Sequence, residues 1–138
     1  MKRSAIAVLL LTIVLISAAL TGCKSMNTDV KKIKDLDFTV VEDADIPGEL
    51  KEFIDEKKEV PFKMTYTNKD SLYIVRGYGE QRTGGYSITV DQLYLTKNAI
   101  YIATNLVGPS KDAQVTQSLT YPYVVVKLER RDENVVFE

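Results

Sequence analysis

Histidine is absent from the 138 residues. That excludes a Ser-His-Asp triad, a Cys-His pair and every zinc site built on imidazole. A single cysteine, Cys23, leaves no intramolecular disulfide to form. Tryptophan is missing too. Positive charge is not in excess: 18 Lys+Arg stand against 19 Asp+Glu, a formal net charge of −1. Loss of Lys2 and Arg3 with a cleaved leader takes that charge to −3. A nucleic-acid partner is therefore not expected, because such binders present a basic patch or stripe. The one long apolar run, residues 4–19, is short of the roughly 20 residues that a membrane-spanning helix needs.

What is present begins with an address. Met1-Lys2-Arg3 is a positive n-region, and residues 4–19 form an h-region interrupted only by Thr12 and Ser17. Leu20-Thr21-Gly22-Cys23 follows directly and resembles the lipobox of bacterial lipoproteins. The resemblance implies a signal peptide over 1–22 and a diacylglyceryl thioether on Cys23, which becomes the first mature residue. Fatty acids such as palmitate would then hold the protein on the extracytoplasmic side of the cell membrane or outer membrane. Each buried CH₂ contributes about 0.8 kcal/mol, and stable anchoring takes two chains or more. Residues 23–35 read as the lipidated cysteine and a polar tether. Lys31, Lys32 and Lys34 lie within reach of anionic lipid there, but a solvated linker accounts for them better.

The remainder, residues 36–138, reads as a single domain. A short strand is expected over 36–42. Asp43-Ala44-Asp45-Ile46-Pro47-Gly48 is a helix-start signal, with Pro47 suited to the first helical position. Leu50, Phe53 and Ile54 then recur at i, i+3 and i+4, which predicts a helix over 47–57. After Pro61 the period changes to two, and strands are expected over 62–67, 72–76, 86–90, 93–96, 100–107 and 121–128. The last of these is the most apolar and is expected at the centre of the sheet. Residues 113–120 read as an irregular edge or a strand, and Val135, Val136 and Phe137 as a late docking element. The fold class is α+β: a mainly antiparallel sheet of five to seven strands with one N-terminal helix packed on it. Tyr123, Val124 or Val125, Ile88, Ile100 and Ile102 are the expected core.

Residues 77–90 hold four of the seven glycines, Gly77, Gly79, Gly84 and Gly85. A phosphate cradle is excluded, since no Gly-Lys-Ser/Thr ending and no following helix are present. Two readings stay open. In one the glycines serve turns and bulges between strands, which the residues favour. In the other they frame a surface bend that offers Glu80, Gln81 and Arg82 to a partner. Arg82-Thr83-Gly84-Gly85-Tyr86-Ser87-Ile88 and, 35 residues on, Tyr121-Pro122-Tyr123-Val124-Val125-Val126-Lys127 resemble the PrcB C-terminal domain family over about 64–128. Its namesake is a lipoprotein subunit of a surface protease complex. The resemblance implies a non-catalytic chain without a cofactor that binds or stabilises a protein partner, a surface protease among the candidates. Tyr86, Tyr121 and Tyr123 join Glu80, Gln81 and Arg82 as candidate contact residues.

Other chemistry is weakly marked. Ser110-Lys111 are adjacent in a loop and would not converge on one atom as a dyad. Glu42, Asp43 and Asp45 are explained by the helix start, and Asp43–Gly48 is only a fragment of a calcium loop. All eight tyrosines fall between Tyr66 and Tyr123; sheet packing accounts for them. The competing function is an envelope module that binds glycan or peptide, and it requires Tyr78, Tyr86, Tyr121 and Tyr123 to form one exposed patch. The lipidation reading has a direct test. Cys23→Ala should abolish both fatty-acid labelling and membrane retention, and equal labelling of the variant and the parent would defeat it.

Overall fold

The structure, a computed structural model, describes residues 30–138. The leader, Cys23 and the start of the tether lie outside the described residues. In chain order the elements are β1 (Lys32–Asp35), β2 (Thr39–Val40), a 3-10 turn (Asp43–Asp45), α1 (Gly48–Lys57), β3 (Pro61–Thr67), β4 (Ser71–Tyr78), β5 (Ser87–Thr96), β6 (Ala99–Val107), β7 (Tyr123–Glu129) and β8 (Asn134–Phe137). They form two four-stranded sheets, ordered β1-β5-β6-β8 and β2-β7-β4-β3. Pairing is antiparallel except between β6 and β8, which run parallel.

Period-two alternation explains the layering. On β4, Leu72 and Ile74 face one way and Tyr73 and Val75 the other; on β7, Val124, Val126 and Leu128 oppose Val125. The first set meets Leu93, Ile100 and Ile102 of the other sheet in one buried cluster. The second set meets Ile46, Leu50, Ile54 and Phe62 in a second cluster, on the helix side. The layers therefore run sheet, sheet, helix. Leu50 and Ile54 are wholly inaccessible, and each such side chain contributes about 1.5–3 kcal/mol of burial, an upper bound given a partly collapsed unfolded chain.

The α+β class with one helix near the N-terminal side is as expected, and so is the central place of β7. Several details differ. Strands number eight among the described residues and divide between two sheets. The expected strands over 86–90 and 93–96 are one strand, β5, carried through an irregularity between Val90 and Gln92. An extra residue in one strand shifts the hydrophobic set by one and hides its continuity. Residues 32–35 are strand β1, paired with β5, and not the end of a tether. Their polarity conceals this, while Leu36 next to them packs against the inter-sheet core and its N–H bonds to Leu93. Pro47 caps α1 from outside the helix, with ψ at 137°. Its carbonyl accepts the Lys51 N–H. Val135 and Phe137 do dock, on β8 against the core.

The glycine-rich connection positions the surface considered next. Residues 79–85 lie against residues 109–120. Gln81 and Thr120 exchange backbone hydrogen bonds of 2.8 and 2.9 Å, and Gly84 N–H donates to Thr116 C=O at 3.0 Å. The Thr120 hydroxyl donates to Thr83 C=O at 2.7 Å. Gly85 has φ +86°, and a Cβ there would stand 2.6 Å from Val115 Cγ1. Gly84 does not share the positive φ, but Thr116 crowds it. Gly79, at φ +76°, is buried beneath Pro61, so the connection is not at the surface along its whole length. Gly85→Val should cost at least about 1 kcal/mol in urea unfolding. Gly48→Ala, with nothing within 4 Å of the added carbon, should change stability by less than about 0.5 kcal/mol.

Candidate functional site

The two paired loops form one end of the molecule. Glu80 and Arg82 are exposed on it and Gln81 is half-buried. Backbone pairing fixes where they stand: Glu80 N–H donates to Glu59 C=O at 3.2 Å, and the Gln81 amide lies against Tyr78 C=O at 3.4 Å. These bonds bring two further side chains alongside. Val60, next to Glu59, is 61% exposed, and Leu119, next to Thr120, is 53% exposed. Both are large apolar side chains left open on backbone that adjoins the charged bend. Sequence reasoning passed over both. The signal was an apolar residue directly after each of two polar stretches, Lys57–Glu59 and Thr116–Ser118.

The four tyrosines do not make one patch. Residues paired across an antiparallel ladder share a face, so Tyr123 lies on the side of its partner Gly77, and Tyr78 on the other. Tyr78 reaches between the sheets, with its hydroxyl 2.5 Å from Thr104 Oγ1 and the Arg76 guanidinium 4.9 Å from its ring. Tyr86 lies half-buried over Gly108. Tyr121 carries the Lys58 ammonium 5.7 Å from its ring centre. Of the six candidate contact residues, Glu80, Gln81 and Arg82 are together on the loop end, Tyr121 adjoins them through Thr120, and Tyr123 faces the helix.

Tyr123 belongs to a cluster with Asp43 and Lys51. The Lys51 ammonium donates to the Tyr123 hydroxyl at 2.5 Å and to Asp43 Oδ2 at 3.1 Å, and the Tyr123 hydroxyl donates to Asp43 Oδ1. Lys51 also stands 5.0 Å from the Tyr123 ring centre. The hydrogen bond from Tyr123, then that from Lys51, holds the Asp43 carboxyl below the usual carboxylate range. The hydrogen bond to Tyr123 raises Lys51. Desolvation, then the bond to Asp43, raises Tyr123. Near neutral pH the phenol keeps its proton and the lysine its charge, so neither is a nucleophile. The cluster instead clips the 3-10 turn and α1 to β7. No group of three or more Cys, Asp or Glu able to hold a metal occurs among the described residues.

The clip sets a pH dependence. Asp43, lowered, adds stability that is present above its unfolded pKa and lost as pH falls through the lowered value. Tyr123 and Lys51, both raised, add stability that is full below their unfolded values and lost as pH rises through the raised ones. Urea unfolding should therefore show a plateau between pH 5 and 9, taken roughly from the ordinary carboxylate and phenol ranges. Tyr123→Phe should lower that plateau by about 1 kcal/mol and flatten the alkaline loss. An alkaline limb unchanged in the variant would remove Tyr123 from the account.

No curated protein and no solved structure matches the chain. One family does, and its match begins at the second residue of β4 and ends at the last of β7. It thus takes in both central strands of the helix-covered sheet, the β5–β6 hairpin and both members of the loop pair. Residues 72–129 of this chain match the family described as PrcB C-terminal.

Proposed function

We propose that the protein is a non-catalytic subunit that holds a protein partner at the cell envelope, anchored through lipid on Cys23. The observation that carries this reading is the loop end, where Glu80 and Arg82 stand exposed on backbone locked by the Gln81–Thr120 bridge, with the exposed Val60 and Leu119 next in sequence to the residues that hold it. Rigid backbone lowers the ordering cost of binding, and arginine is among the residue types that dominate interface energies. The family match supports a place in a protease complex, because the loop pair lies within the matched residues. A surface protease is accordingly the partner to look for first. The competing glycan or peptide module needs one tyrosine-lined face, and Tyr78 and Tyr123 lie on opposite faces of their sheet.

Arg82→Ala and Leu119→Ser separate contact from scaffold. Both side chains are free of the fold's hydrogen-bond ladder, so thermal stability should move by less than about 0.5 kcal/mol. Recovery of the partner from native membranes, quantified by mass spectrometry, should fall about tenfold or more if either is an anchor of the interface. If Arg82→Ala unfolds the domain and the partner is still recovered, the arginine is a structural residue and the loop end is not the contact surface.

A further inference from the structure

We infer that the β1–β2 side of the sandwich docks on an anionic lipid surface, in an orientation imposed by the short chain between Cys23 and β1. The inference rests on the lipid-anchor reading of Cys23 and adds a face and a lipid chemistry to it. The strand order places β1 and β2 at the same lateral edge, joined by residues 36–38. The opposite edge is closed by β3 and β8, where the Lys63 ammonium stands 5.7 Å from the Phe137 ring.

The β1–β2 edge concentrates exposed apolar side chains. Val30, Ile33, Phe38 and Val40 are 42, 60, 38 and 54% exposed and fall within eleven residues. Ile33 is the unpaired residue where the register of β1 shifts between Lys32 and Lys34, so it is free to point away from the sheet. Lys31 and Lys34 are exposed beside it, whereas Lys32 is engaged with Asp35 at 2.5 Å and with the Tyr94 ring. Phe38 and Val40 adjoin the exposed Asp37 and Thr39, so the lysines flank Val30 and Ile33 alone; those two apolar tips fit a headgroup boundary, because the lysine stem lies along apolar surface while its ammonium meets phosphate.

Chain length then selects the occupant. Residues 32–35 are strand and so do not lengthen the expected tether. Even fully extended, the eight residue-to-residue steps from Cys23 to Lys31 reach at most about 29 Å. A domain of this size has a radius of gyration of about 13 Å. The anchor therefore keeps this edge within one domain diameter of the bilayer, and the high effective concentration lets weak contacts suffice. A protein partner on the same edge would have to compete with that surface.

The absence of tryptophan makes the test direct. Ile33→Trp, in the full lipidated protein reconstituted into vesicles, gives one reporter. With phosphatidylglycerol present, its emission should shift to the blue and be quenched by lipids brominated on the acyl chain. Phosphatidylcholine alone should give a solvent-like spectrum. Lys31→Gln and Lys34→Gln should each lower the docked-to-free ratio about fivefold. A solvent-like spectrum on anionic vesicles, with fatty-acid label on Cys23 intact, overturns the docking and leaves the anchor standing. Equal quenching in neutral vesicles overturns the anionic selectivity. Absence of label on the parent chain overturns the anchor reading itself and the orientation argument with it.

Discussion

The structure depends on one sheet being apolar on both faces. β4 and β7 are paired over seven residues, from Ser71↔Glu129 to Gly77↔Tyr123. Their alternating side chains fill two separate clusters, one against the second sheet and one against α1. Neither face can be left open, since Ile74, Val75, Val125 and Val126 are all essentially inaccessible. The β5–β6 hairpin and the helix are therefore obligatory covers, and the loops that join them to the central strands fall at the sandwich's ends.

That constraint accounts for the loop end. β4 leaves the helix-covered sheet and β5 begins the other, so residues 79–86 must change layers. β6 must return to β7 by the same end, through residues 108–122. Two crossings at one end meet each other, and their backbone groups pair across Gln81–Thr120 and Gly84–Thr116 instead of remaining unsatisfied. Gly85 permits the close approach to Val115 and Pro109. The exposed charges and apolar side chains on this end thus stand on backbone as well fixed as a strand.

The helix is held by more than its two buried residues. Lys51 on its inner margin, Asp43 on the preceding turn and Tyr123 on β7 form a chain of hydrogen bonds across the helix–sheet boundary. Tyr66 adds a second link, donating to Glu49 at 3.0 Å. Surface pairs alone contribute little. Here they add directional links to the packing of Leu50 and Ile54 against the sheet.

The sequence by itself determined the helix, the identity of most strands and the core residues Ile100, Ile102 and the Val124–Val125 pair, while Ile88 and Tyr123, expected there too, are only partly buried. The helix, the strands and the core residues follow from local periodicity, which acts within a few residues. The family resemblance was legible as well, from two short motifs now placed on β5 and β7 with their flanks. Tertiary structure decided the rest. Division into two sheets depends on which strand pairs with which, and strands of like pattern do not encode their partners. β1 is polar and is a strand only because β5 offers it an edge. Glu59 and Thr120 are 61 residues apart and are brought to the same bend by backbone hydrogen bonds to Glu80 and Gln81 that no local pattern marks. Tyr78 and Tyr123 look equivalent in sequence, but the register Gly77↔Tyr123 sends them to opposite faces.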